Sequence, residues 1–285
     1  MTGNEPAVVE QGGHASGAFD PGTSILHHIL DSHELEIPFV DWKIPLPQWH
    51  VGGLDLSITK HVVMMWIVCG ILLLAFGMAA RRRFDPVPRG LHNALEALVQ
   101  YLRNEVARPA MHEHADRYVG YLLTVFFFIW TCNLLGLVPG FATATGNISV
   151  TAGLALTAFA MIQFGGIREY GVVGHFRNLV PHGLPPWLIP LMIVLELLSM
   201  LIRPFALCIR LFANMMAGHI VILAFISLIF ILATMGGSWL GWVASPLAVF
   251  LALFVHFLEL LVATVQAYIF TMLTAQFIGL SLHPH

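Results

Sequence analysis

The sequence predicts an all-α integral membrane protein: five membrane-crossing helices plus an amphipathic helix at the cytoplasmic face, ending in a hairpin of two long tilted helices. Three observations carry this. Of 285 residues, 58% are hydrophobic and 10% charged, with a mean hydropathy of +0.80, far outside the range of soluble domains. Charge-free runs recur at lengths that span a bilayer, which takes about 20 apolar residues per helix. Basic residues gather at alternate ends of those runs, as the positive-inside tendency requires. Such a chain leaves no room for a large catalytic domain, and neither the net charge of −3 nor any Lys/Arg block suggests nucleic-acid binding.

Residues 1–60, rich in Gly, Pro, His and acids, read as an extracytoplasmic arm. Within it, Ile25, Leu26, Ile29 and Leu30 suggest a short amphipathic helix from Ser24 to Leu35 near the membrane surface. Its His27, His28 and His33 read as solvated groups rather than metal ligands. No basic region followed by an apolar run opens the chain, so the first span is expected to act as its own signal.

The membrane domain, 61–285, opens with the span 61–80. Residues 61–80 carry no formal charge, and Arg81, Arg82, Arg83 and Arg89 follow, which puts residue 81 onward in the cytoplasm and the N-terminus outside. Over 89–109, Leu91, Leu95, Leu98, Leu102 and Val106 recur at helical spacing, the mark of an amphipathic surface helix. In the MHEHADR that follows, His112, Glu113 and His114 are adjacent rather than a turn apart, a solvated connector and not a metal centre. Residues 118–167 contain no Asp, Glu, Lys or Arg, and Pro139, Gly140, Gly146 and Asn147 divide them into spans 118–138 and 148–167 joined by a tight outer turn. Arg168 and Arg177 then return the chain to the cytoplasm.

Residues 188–235 form a run longer than a perpendicular span needs, with Pro190 and Pro204 as candidate kinks. GGSWLGW at 236–242 reads as an outer hairpin with interfacial tryptophans, and 244–281 as a second long helix ending in the cytoplasm. Cys69, Cys132 and Cys208 sit in apolar runs at unrelated spacings, as small core side chains do.

The chemistry is concentrated where charge is scarce. From residue 188 to the end the only Asp, Glu, Lys or Arg are Glu196, Arg203, Arg210 and Glu259. A charge at membrane depth costs about 2.5 to 3.5 kcal/mol on insertion scales, so such residues face a protein interior or a water path. Glu196, Arg203 and Arg210 recur at seven-residue steps and share a stripe, and Asn214 lies one turn beyond Arg210. Glu259 and Gln266 are again seven apart. A hairpin closed near 239 sets Arg210 opposite about 268 and His219 opposite about 259. The bland reading is that these residues are buried pairs holding two helices together, and it is stronger for a lone His256. Against it, Arg210 has no acid of this chain at its own depth, which points to a carboxylate on another chain.

At this point the chain resembles a known family, subunit a of the F-type rotary ATP synthase in its bacterial form. The resemblance rests on NLLGLVPG at 133–140, RPFALCIRLFANMMAG at 203–218 and QAYIF at 266–270, above all on the pattern formed by Leu207, Arg210, Leu211, Phe212 and Asn214. It implies that the long-helix hairpin faces a rotating c-ring and that Arg210 meets the ring's carboxylates. An arginine remains protonated, so it lowers the pKa of a passing carboxylate without carrying a proton itself. It further implies that Asn214, His219, Glu259 and Gln266 line an outer half-channel and that Glu196 and Ser199 flank an inner one, with Arg203 in support. The implied partners are the c-ring, the subunit b stalk, the F1 head through that stalk and the lipid bilayer, in the bacterial inner membrane. No cofactor or metal is implied, and the chain alone would be no enzyme but a non-nucleotide-binding, proton-translocating component. Two departures stand out: the acid and imidazole shared between His219 and Glu259 are in the reverse of the familiar order, and Ala213 replaces a common glycine.

Other readings were weighed against the same residues. A secondary ion transporter would also use buried Glu and Arg, yet the sequence has no inverted repeat. An intramembrane protease would need a GxSG or HExxH motif, neither of which is present. A b-type haem site would have only His219 and His256 to draw on in the long helices.

Overall fold

In the computed structural model of the chain, the described residues are 34–36, 43–45, 50–51, 54–55, 57–81, 90–138, 141–177, 185 and 187–282. Two short antiparallel hairpins precede the membrane helices: β1 (Glu34–Glu36) with β2 (Lys43–Pro45), and β3 (His50–Val51) with β4 (Leu54–Asp55). The surface helix expected over Ser24 to Leu35 lies outside the described residues except for Glu34 and Leu35, which are in β1.

Among the described residues, five helical stretches are long and apolar enough to cross a membrane. The first, α1 (Lys60–Arg81), buries Met64 and Val68 but turns Trp66, Leu73 and Leu74 outward, the exposure expected of a lipid-facing helix. The amphipathic stretch starts at Gly90, whose φ of 62° suits glycine, as α2 (Leu91–Tyr101). It does not stop near 109. A π-helical turn over Leu102–Ala107 resets the phase of the helix so that Leu102, Val106 and Ala107 all face inward. The chain then runs through α3 (Arg108–Met111) and a 3-10 turn at His112–His114 directly into α4 (Ala115–Gly136). An Arg103–Asp116 ion pair of 2.7 Å braces this corner.

The next span, α5 (Ile148–Arg177), extends past the expected end at 167. Helical geometry breaks at Gly171 (φ 70°, ψ 169°), so the residues read as a connector form a second short helix after the break. Beside that break the Tyr170 hydroxyl donates to the Leu282 carbonyl at 2.8 Å, tying this end of the bundle to the chain's last helix.

The two long helices are α6 (Ile189–Gly236), of 48 residues, and α7 (Ser238–Leu282), of 45. At 1.5 Å per residue α6 is about 72 Å long, more than twice the ~30 Å of hydrocarbon core and so far longer than a perpendicular crossing needs. Two expectations are corrected here. Pro190 does not kink the helix but occupies its first turn, where its missing N–H costs nothing, while Pro204 lies inside the helix. The connection is also not a seven-residue hairpin: Gly237 alone (φ 85°) turns the chain, and Trp239 and Trp242 are exposed on the first turns of α7, which begins at Ser238 rather than 244.

Small residues hold α7 close to its neighbours, as membrane interfaces require when lipid supplies no hydrophobic drive. On α7 the buried positions Ala248, Ala252, Ala263, Ala267, Ala275 and Gly279 fall in pairs four apart. A Cβ on Gly241 would come 2.8 Å from the Ala233 Cβ on α6. The main core joins Leu102, Val106, Met111, Tyr118, Leu122 and Ile129 to Leu207, Leu211, Phe270 and Ile278. Opposite that core, α6 presents Ile202, Ile209, Arg210, Ala213, Ala217 and Ile220 on an open face.

Candidate functional site

Arg210 lies on that open face, and among the described residues it makes no hydrogen bond or ion pair. Its neighbours Leu207 and Leu211 point the other way, fully into the core. The helix therefore has to present the guanidinium outward to seat the two leucines. Arg203, one stripe position earlier, is different. It reaches Glu196 at 3.3 Å and stacks over Phe277 with its guanidinium carbon 5.2 Å from the ring centroid. Ser199 stands half-buried one turn beyond Glu196.

Further along, the hairpin zips polar groups across its seam. The Asn214 amide donates to Gln266 Oε1 at 3.5 Å, and His219 Nδ1 lies 3.4 Å from Glu259 Oε1. Glu259 is only 4% exposed, and neither carboxyl oxygen has a hydrogen-bond partner. The 3.4 Å approach is thus a close contact rather than a formed hydrogen bond. Gly218 makes the approach possible, because a Cβ there would fall 2.6 Å from the Glu259 Cδ.

The stretch read as a plain outer turn contributes directly. Thr143 is buried and its Oγ1 hydrogen-bonds His219 Nε2. Thr145, also fully buried, donates to Asn133 Oδ1 at 2.7 Å, and the Asn133 amide donates to the Ala263 carbonyl at 3.2 Å. These bonds fold the loop back between α4 and α7, and Gly136 leaves room for Thr143, whose Cβ is 2.7 Å from where a glycine-136 Cβ would stand. With the Nδ1 proton turned toward the carboxylate, Nε2 accepts from the Thr143 hydroxyl. A threonine, an imidazole and a buried acid are then in series.

The structure therefore brings together His219 with Glu259, Asn214 with Gln266, and Glu196 with Arg203, and it leaves Arg210 outside these pairings. Sequence reasoning missed Thr143, Asn133, Thr145 and Gly218. The available signal was the cluster of hydroxyl and amide side chains at 143–147 in a region otherwise too apolar to need them. The His112–His114 turn keeps to the helix corner, away from these groups.

Comparison with known proteins agrees on one family. The model of the family described as ATP synthase A chain matches residues 62–279. A protein named ATP synthase subunit a from Chloroherpeton thalassium is 44% identical over 261 residues, covering 90% of this chain and 75% of that protein. Its namesake from Chlorobium phaeobacteroides (strain BS1) is 45% identical over 275 residues, covering 95% and 78%. Another from Anaeromyxobacter dehalogenans is 44% identical over 299 residues, covering 98% and 74%.

Proposed function

The chain belongs to the ATP synthase A chain family, and on that premise we propose that it is the proton-channel stator subunit of the membrane sector, coupling proton flow to rotation of a ring of carboxylate-bearing subunits. Family membership sets aside the secondary ion transporter. It is a multi-pass membrane protein; its bacterial relatives support a place in a bacterial inner membrane, and the arginine distribution supports an outer N-terminus and a cytoplasmic C-terminus.

The observation that carries the reading is Arg210: a cation held on an open apolar face without a partner among the described residues. Left against lipid it costs a few kcal/mol, on the order of 2.5 to 3.5; set against a ring carboxylate that cost is offset by charge attraction in a low dielectric. Opposite charge favours the ionised carboxylate, so a ring site reaching Arg210 gives up its proton. Because arginine itself stays protonated, no proton crosses at that point without rotation.

The His219–Glu259 pair with Thr143, and the Asn214–Gln266 pair nearer Arg210, supply a polar seam leading toward it from the outer side. Glu196 and Ser199 flank the approach from the cytoplasmic side, with Arg203 steadying Glu196. The chain binds no nucleotide itself; its partners in this reading are the ring, the subunit b stalk and, through the stalk, the F1 head.

Disulfide trapping tests the face. In a background lacking Cys69, Cys132 and Cys208, Ala213→Cys is expected to cross-link to cysteines on the ring's outer helices, whereas the core position Leu211→Cys is not. Cross-linking from Leu211→Cys with none from Ala213→Cys would turn the proposed face away from the ring.

A further inference from the structure

One titratable side chain near the seam is left without a role above: His256, one turn before Glu259 on α7. A cavity of about 280 Å3 lies between α1, α4, α6 and α7, lined by three imidazoles, His61, His219 and His256, together with Thr143. A second, more open cavity of about 640 Å3 lies beside it, walled by phenylalanines and leucines of α4 and α7. Leu137, Val138 and His256 line both, so they form the shared wall. His256 is the single polar side chain of the wider cavity. It is half-buried, and no described residue engages either ring nitrogen.

We propose that His256 is a further proton-carrying residue of the half-channel that ends at Glu259, standing between the two cavities and passing protons inward to His219. This rests on the stator reading above. The inner cavity has room for water, which needs two or more polar partners, and the three imidazoles with the Thr143 hydroxyl supply them. His256, the first polar side chain past the apolar wall, takes a proton from an arriving hydronium on one ring nitrogen and releases one from the other to water in the inner cavity. That water protonates the Thr143 hydroxyl as Thr143 hands its own proton to His219 Nε2, and the His219 Nδ1 proton passes to the Glu259 carboxylate. When Glu259 gives its proton to the ring, one proton has moved; both imidazoles are then the opposite tautomer, and each resets by a ring flip or by exchanging a proton with the cavity water before the next transfer. Imidazole suits the relay because one ring nitrogen can accept a proton while the other donates one. The groups facing His256 are His61 from α1 and His219 from α6, with Glu259 behind His219.

The test uses the whole complex in vesicles, with His256→Ala and His256→Gln. Both are expected to assemble and to lower proton flux about tenfold, less than the ~10²-fold of an unbypassed acid–base group because water offers a slower route. Glutamine keeps the shape but carries no proton, and the alanine variant opens a gap between the cavities. Added imidazole is therefore expected to restore flux in His256→Ala and to leave His256→Gln and the parent unchanged. Parental flux in the glutamine variant, or loss in the alanine variant without recovery on imidazole, overturns the proposal. Arg210→Ala in the same vesicles separates the two claims. If it abolishes ATP synthesis while the His256 variants behave as the parent, only the relay falls; if it keeps ATP synthesis, the stator reading falls and the relay with it.

Discussion

His219 on one leg of the long-helix hairpin lies 3.4 Å from Glu259 on the other, with Thr143 of the loop after α4 bonded to the far side of the imidazole. Three elements distant in sequence thus converge on one acid whose own oxygens have no hydrogen-bond partner.

Glu259→Gln removes the titratable oxygen while keeping size. Proton flux through membranes stripped of the soluble head is expected to fall by about tenfold or more, since positioned acid–base groups contribute ~10² to ~10⁴ where nothing bypasses them. An unchanged flux would reduce the pair to a helix tie.

Thr143→Val keeps the volume and removes the hydroxyl. It leaves His219 Nε2 without its partner, at about 1 to 3 kcal/mol of local stability. Flux is expected to drop while the complex still assembles, and Thr143→Ser is expected to restore most of it.

Gly218→Ala places a methyl 2.6 Å from the Glu259 Cδ. The carboxyl has to move off His219, at about 1 to 3 kcal/mol for an overpacked site. The expected result is lower flux, relieved by pairing it with Glu259→Asp, whose shorter side chain clears the methyl.

Gly279→Val acts far from the polar seam. Its Cβ would stand 3.0 Å from the Ala110 carbonyl carbon, a backbone atom that cannot swing aside. Thermal unfolding in detergent is expected at a clearly lower temperature, with the loss on the order of 1 to 3 kcal/mol. An unshifted transition would mean that α7 and α3 separate freely.

Arg203→Lys is expected to retain ATP synthesis to within about twofold, because Arg203 is a partly exposed partner of Glu196, a kind of pair worth roughly 0 to 1 kcal/mol. A loss as deep as that of an Arg210 substitution would contradict the division of labour between the two arginines.

Much of this was legible because hydropathy and charge report depth in a membrane directly. The spans follow from charge-free runs, and counting back from a turn near 239 set His219 against Glu259, which the structure reproduces even though the chain turns at Gly237. What stayed hidden depends on backbone conformation and tertiary hydrogen bonds. Nothing in GGSWLGW says that one glycine suffices for the turn; that follows from the helices packing Gly241 against Ala233 right up to it. The inward fold of 141–147 depends on Asn133 and Thr145 meeting across two elements, and the Gly171 break on a single positive φ. Arg203 and Arg210 share a stripe, and the family resemblance already set them apart; the contact with Glu196 gives that difference a physical form.

The most direct measurement is ATP synthesis driven by an imposed proton gradient in vesicles carrying Arg210→Ala, with the ring and the soluble head shown to be present by co-purification. The account predicts a fully assembled complex that makes no ATP. Synthesis at the parental rate in that complex would contradict it.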